Sequence, residues 1–135
     1  MDGFRFVIPY DVRVADVNYG AHVSNAAVLS FFQDARIAYL QQFGFSELDI
    51  GGCGIILPEA HVNYRAEMFL GDRLQIGVRA ELHHKSSFVM MYRIERDDVV
   101  TAEGTTNLVA FNYERRKPVR LPQEFRSSVE AFEAE

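Results

Sequence analysis

A single cysteine, Cys53, in 135 residues excludes an intrachain disulfide, so no part of this chain leans on a covalent cross-link. Basic charge is scarce too: 14 Lys and Arg stand against 19 Asp and Glu, for a formal net charge of −5 and a pI near 5.4. Such a balance lacks the basic field that displaces counterions from phosphates, which excludes a general nucleic-acid footprint and leaves room only for a local basic patch. No apolar run approaches the roughly 18 residues that a membrane-spanning helix needs. Residues 1 to 10 hold no basic stretch followed by a long apolar core. The expectation is a soluble, cytoplasmic protein without a membrane anchor. What the chain does have is core material: 48% of it is hydrophobic, enough for one domain over residues 1–135 and too short for two.

The apolar pattern changes period along the chain. Phe6, Ile8, Tyr10, Val12 and Val14 recur at period two, so Phe4 to Val14 reads as a first strand, with Pro9 marking an edge or bulge. From Ala26 to Phe43 apolar residues cover most of a helix circumference, which predicts one long helix enclosed by protein on several sides. Ser24 or Asn25 suits its N-cap and Gly44 its terminator. Ser46 to Ile50 reads as a short helical turn. Period two then returns in Ile55 to Tyr64, Arg73 to Leu82, Ser87 to Arg96 and Val99 to Tyr113. Short links between neighbouring strands imply an antiparallel sheet whose use is to wrap the apolar helix. Pro122 to Phe132 reads as a short terminal helix or a tail.

The polar loop Asp16-Val17-Asn18-Tyr19-Gly20-Ala21-His22-Val23-Ser24-Asn25 runs directly into that helix. Carboxylate, carboxamides and imidazole gather where unpaired N–H groups and the helix dipole favour developing negative charge, a combination suited to acyl transfer. Together with the order of elements, Asp16, Asn18, His22, Val23 and Asn25 resemble the loop of the hot-dog superfamily, specifically its 4-hydroxybenzoyl-CoA-thioesterase-like acyl-CoA thioesterases. The likeness continues through Ala35-Arg36, Tyr64-Arg65-Ala66-Glu67 and Gly71-Asp72, and spans Phe4 to Tyr113. It implies an α+β hot-dog fold: a curled antiparallel sheet of about five strands around one long central helix. It also implies hydrolysis of an acyl-CoA thioester to acid and thiol with no cofactor, in at least a dimer whose active site lies between subunits.

Two departures sharpen the expectation. Many relatives carry a second aspartate, as nucleophile or general base, where this chain has Asn18, and an amide can do neither. Relatives also place glycine immediately before the histidine, whereas here Ala21 takes that place after Gly20. His22 matches the loop histidine of the plant acyl-carrier-protein thioesterase branch, and Glu67 falls where that branch carries a catalytic acid. A thioesterase reading therefore gives Asn18 the task of orienting water or carbonyl, Glu67 that of general base if burial raises its pKa, and His22 an assisting role. A backbone N–H within Val23 to Asn25 would receive the oxyanion, a single such donor being worth about 3 kcal/mol. Against this stands a structural role for His22 and Asn25 in satisfying the loop and capping the helix; both roles can coexist. Glu59 competes with Glu67 as base, sharing its face with His61 and Asn63 and, without a bulge, with Glu67.

Arg115 and Arg116, with Lys117 and Arg120, form the one basic cluster; they suit the phosphates of coenzyme A or a solvated terminal segment. Gly51-Gly52-Cys53-Gly54 lacks nucleotide-loop spacing and reads as a turn or hinge. His83 and His84 have no third partner at metal spacing, so no metal is expected. Two other functions compete. One is a hot-dog enoyl-CoA hydratase or dehydratase, whose D-x-N-P-x-H dyad is similar to Asp16-x-Asn18 and His22 but one residue shorter and with a proline absent here. The other is a non-catalytic acyl-thioester-binding module, which Asn18 in place of aspartate would suit.

Overall fold

Alternation along β3 (Arg73–Glu81) and β4 (Ser87–Arg96) turns Leu74, Ile76, Val78 and Ala80, then Phe88, Met90, Tyr92 and Ile94, inward to one continuous buried surface. The structure, a computed structural model, describes residues 1–134. Around those two strands lie β1 (Phe6–Asp11), β2 (Gly54–Tyr64), β5 (Val99–Asn112) and the two-residue β6 (Lys117–Pro118). The sheet is antiparallel, in the order β1-β3-β4-β5-β2, and β6 pairs with β5. β1 and β2 are the edges. Pro9, opposite Gln75 in β1, is on an edge as its missing N–H requires.

The 17-residue helix α1 (Asn25–Gln41), about 25 Å long, packs on the inner face. Val28, Phe31, Phe32, Ala35, Tyr39 and Leu40 form its buried side. Ser24 caps it by accepting the Ala27 N–H at 3.3 Å, and Gly44, at φ +83°, follows its end. One buried charge interrupts this core: the Arg36 guanidinium donates to the Glu47 carboxylate at 2.8 Å and to the Tyr92 hydroxyl at 2.9 Å, which also meets Thr106 at 2.7 Å. A second helix, α2 (Gln123–Ala134), buries Phe125 and Val129. Near its end the Glu133 carboxylate accepts the Tyr39 hydroxyl at 2.6 Å and the Ala80 N–H at 3.0 Å. That amide lies beyond the last β1–β3 pair, Phe6 with Val78, so the carboxylate satisfies a strand donor that β1 leaves open.

Among the described residues the architecture is thus α+β with six strands, one more than the expected five because of the two-residue β6, and two helices, α2 being the helical one of the two readings of Pro122 to Phe132. The outward strip of α1 is its polar one, Ser30, Gln33, Asp34 and Gln41, and the apolar Leu29 is exposed beside it. β1 is shorter than Phe4 to Val14, because Val14 to Asp16 closes a single 3-10 turn held by the Asp16 carboxylate on the Arg13 N–H at 2.9 Å. Ser46 to Ile50 is no helical turn; Ser46 and Asp49 bridge each other as strand partners. Asp49 then accepts the Gly51 and Gly52 N–H groups, both at 2.9 Å. These bonds, to Gly52 and then Gly51, hold its carboxyl below the usual range.

Candidate active site

The loop before α1 doubles back on itself. Val17 bridges to Val23, the Asn18 N–H donates to the His22 carbonyl at 3.0 Å, and the Ala21 N–H returns to the Asn18 carbonyl at 3.0 Å. Gly20 has a specific task here: a Cβ on it would stand 2.5 Å from the His22 ring, so its missing side chain seats the imidazole. The displaced glycine leaves Ala21 in the left-handed region at φ +60°, a conformation costing an L-residue roughly 1–2 kcal/mol.

Beyond β2 the Arg65 and Ala66 N–H groups still donate to the Thr101 carbonyl of β5, at 2.8 and 3.1 Å, and the chain then leaves the sheet. Arg65 to Met68 crosses to this loop, where the Val23 N–H donates to the Met68 carbonyl at 2.8 Å. Between loop and crossing segment lies a cleft of about 470 Å³ lined by Asn18, His22 to Asn25, Val28 and Tyr64 to Met68. His22 Nδ1 is 3.1 Å from Glu67 Oε1 at its rim. The Tyr64 hydroxyl, from the end of β2, donates to the Asn25 carbonyl at 2.9 Å and so ties the sheet to the first turn of α1. Val28 and Met68, both buried, form the apolar part of the lining.

Of the expected residues, Asn18, His22, Val23, Asn25 and Glu67 come together, and Asp16, Arg115 and Arg116 do not. Asp16 is spent on the loop: its carboxylate accepts the Tyr10 hydroxyl at 2.7 Å and it does not line the cleft. The N–H groups of Val23 and Ser24 are also spent, the latter on the Asp16 carbonyl at 3.0 Å. Val23 therefore offers no backbone donor to a substrate. Among the described hydrogen bonds none uses the N–H of Asn25, which leaves that donor at the positive end of the helix dipole. The Asn18 side-chain oxygen accepts the Gly20 N–H at 3.1 Å, so the free end of its amide is the NH₂ group, a donor.

Two corrections concern the acids. Glu67 is not a strand residue in an apolar cleft: β2 ends at Tyr64, and the Glu67 side chain is 63% exposed in the single chain. Glu59 lies on the outer face of the sheet, beyond the register shift in β2 that breaks the simple alternation. It accepts from Asn107 Nδ2 at 3.0 Å and has no part in the cleft. Arg115 and Arg116 sit in the turn after β5, beside the Gly54 end of β2, where the Tyr113 hydroxyl donates to the Ile55 carbonyl at 2.6 Å. The cleft is at the other end of that 11-residue strand, roughly 30 Å away. Among the described residues no three His, Cys, Asp or Glu side chains gather as a metal would require. Likewise, no described helix is long and apolar enough to cross a membrane.

Sequence reasoning passed over Tyr64 as a site residue, though it opens the Tyr-Arg-Ala-Glu segment. Its role depends on the side chain crossing to α1, a contact that no local pattern carries.

The antiparallel sheet thus carries a polar cleft at the entrance of its first helix. The chain belongs to the thioesterase-like superfamily, whose family model matches residues 12–129. It is 26% identical over 121 residues to the 1,4-dihydroxy-2-naphthoyl-CoA hydrolase of Microcystis aeruginosa, covering 86% of this chain and 88% of that one. It is 23% identical over 130 residues to the acyl-CoA thioesterase YbgC of Haemophilus influenzae, covering 94% of each. Among solved structures, a thioesterase from Thermus thermophilus complexed with coenzyme A and Zn superimposes with a TM-score of 0.87 at 31% identity, covering 100% of this chain and 98% of that one.

Proposed function

We propose that this protein is an acyl-CoA thioesterase, hydrolysing an acyl thioester to free acid and thiol at the entrance of α1, within one domain of the hot-dog arrangement. The observation that carries the proposal is that Asn25, whose N–H no described hydrogen bond uses, lines the same cleft as the His22–Glu67 pair. The thioester carbonyl oxygen points at that N–H, and the Asn18 NH₂ group donates to the same oxygen or to the sulfur. Glu67 takes a proton from water as its oxygen attacks the carbonyl carbon. His22 orients the carboxylate. The tetrahedral oxyanion is stabilised by the Asn25 N–H and the helix dipole. When it collapses, the C–S bond breaks, and the proton on Glu67 goes to the departing thiolate. Residues of this chain suffice for every step, so no cofactor is invoked.

The working unit we propose is a homodimer or homotetramer. β2 supports this: it is an edge strand, and Leu57 to His61 are exposed on both of its faces. Edges of that kind invite strand pairing. Two β2 strands paired antiparallel about a two-fold axis would set the Arg115–Arg116 turn of one copy beside the cleft of the other, where it could receive coenzyme A phosphates. The lone, half-buried Cys53 suits a reducing cytoplasm, its thiol pushed up by burial.

The test follows thiol release from aliphatic, aromatic and hydroxylated acyl-CoAs, with hydration of an enoyl-CoA measured in parallel. Release of one thiol per acid, with no hydration, is the expected result. Hydration without thiol release would replace the hydrolase by a hydratase; neither, with binding retained, would leave an acyl-binding module.

A further inference from the structure

Glu67 lies outside the strand ladder, between two anchored neighbours: the Ala66 N–H donates to the Thr101 carbonyl at 3.1 Å and the Met68 carbonyl accepts the Val23 N–H at 2.8 Å. The bond to the backbone of Glu67 itself comes from a side chain. Arg96, the last residue of β4, donates from Nη1 to the Glu67 backbone carbonyl and to Asp72 Oδ2 at 3.3 Å. Asp72 Oδ2 also accepts the Phe69 N–H at 2.8 Å. The guanidinium stands 6.0 Å from the centre of the Phe69 ring, which also neighbours the His22 ring with centroids 5.8 Å apart. The Arg96 and Asp72 side chains are 25% and 22% exposed, so this pair is shielded more than a surface ion pair. One guanidinium thus fixes the main chain of Glu67, the turn behind it and, through Phe69, the ring that Glu67 contacts.

We infer that Arg96 is a positioning residue for the hydrolytic pair, holding the Glu67 backbone and the Phe69 ring so that carboxylate and imidazole stay in register. The inference rests on the proposed role of Glu67. Arg96 does not line the cleft and acts only through its neighbours. Its loss displaces a catalytic group without removing a substrate contact, and misplacement by about 1 Å costs on the order of 10²-fold in rate. A lysine keeps one point charge and can hold the carbonyl or the carboxylate, but lacks the planar fork that reaches both while lying beside Phe69.

The experiment compares wild type with Arg96→Ala, Arg96→Lys, Glu67→Gln and the Arg96→Ala/Glu67→Gln double variant. It measures kcat and KM, thermal midpoint, and the imidazole NMR resonances of His22. For Arg96→Ala the expected result is a kcat lowered about tenfold to 10²-fold with KM within about twofold. Millimolar guanidinium ion should partly restore kcat, and an equal concentration of sodium ion should not. Arg96→Lys should fall between Arg96→Ala and wild type. In the Glu67→Gln background, Arg96→Ala should cost nothing further. The His22 resonances of Arg96→Ala should shift toward those of Glu67→Gln, a readout independent of turnover that Arg96→Lys provides if the alanine variant does not fold.

Unchanged kcat and unchanged His22 resonances in Arg96→Lys and Arg96→Ala, alongside a large loss in Glu67→Gln, would overturn the Arg96 inference alone. A Glu67→Gln variant with full turnover would overturn the role of Glu67, and the inference with it.

Discussion

Replacing Glu67 by glutamine is expected to lower thioester turnover by about 10²- to 10⁴-fold, the range over which a positioned general base contributes. The substitution keeps the size and shape of the side chain and removes its negative charge and with it the capacity to take a proton. Its described partner is His22, and with 63% of the side chain exposed little of the core senses the change. The folding midpoint should therefore stay within the roughly 0.5 kcal/mol typical of surface substitutions. Glu59→Gln supplies the control. Its carboxylate is on the outer face, bonded to Asn107, and an amide there keeps an acceptor for the same donor. Turnover of Glu59→Gln should equal that of wild type. Loss in Glu59→Gln with full activity in Glu67→Gln would move the base out of this cleft and end the mechanism as drawn.

The largest expected effect on stability belongs to Phe32→Ala. Phe32 is fully buried on α1, its ring stacked on Tyr92 with centroids 4.4 Å apart and planes 10° from parallel. It reaches across to Gly104 of β5, where a Cβ would stand 2.6 Å from the ring and 2.4 Å from the His61 backbone carbonyl. Helix and sheet meet through that ring, and the glycine exists to admit it. Truncation removes the stacked contact and opens a cavity that the carbonyl-backed wall of β2 cannot collapse to fill. The cost should be about 3–5 kcal/mol, a large share of the 5–15 kcal/mol by which domains are stable. Urea denaturation of Phe32→Ala against wild type reads this as a lower midpoint at unchanged slope. A loss below about 1 kcal/mol would show that the interface repacks around the missing ring.

What the sequence made legible follows from how local each signal is. β4 spans Ser87–Arg96 and β3 begins at Arg73, as period two predicts, because alternation is written in consecutive residues. The helix cap is equally local, Ser24 bonding a donor three residues on. Ser46 to Ile50 misled because Asp49 turns its carboxylate onto Gly51 and Gly52, a competition that helix propensity does not register. At the site, Asn18, His22 and Asn25 could be selected because one loop carries them all. Asp16 carries the same motif and serves elsewhere, since the hydroxyl that claims it belongs to Tyr10 in the preceding strand. The spent N–H of Val23 and the grip of Arg96 on Glu67 depend on Met68 and on the far end of β4. Such contacts come with the tertiary fold alone.

The account centres on a thioester carbonyl held at the start of α1. A crystal structure of Glu67→Gln with a slowly turned-over acyl-CoA tests that most directly. The carbonyl oxygen should lie about 2.7–3.1 Å from the Asn25 backbone nitrogen, with the acyl group against Val28 and Met68. A carbonyl found away from Asn25, for instance in the outer-face cleft between Arg79 and Arg93, would contradict it.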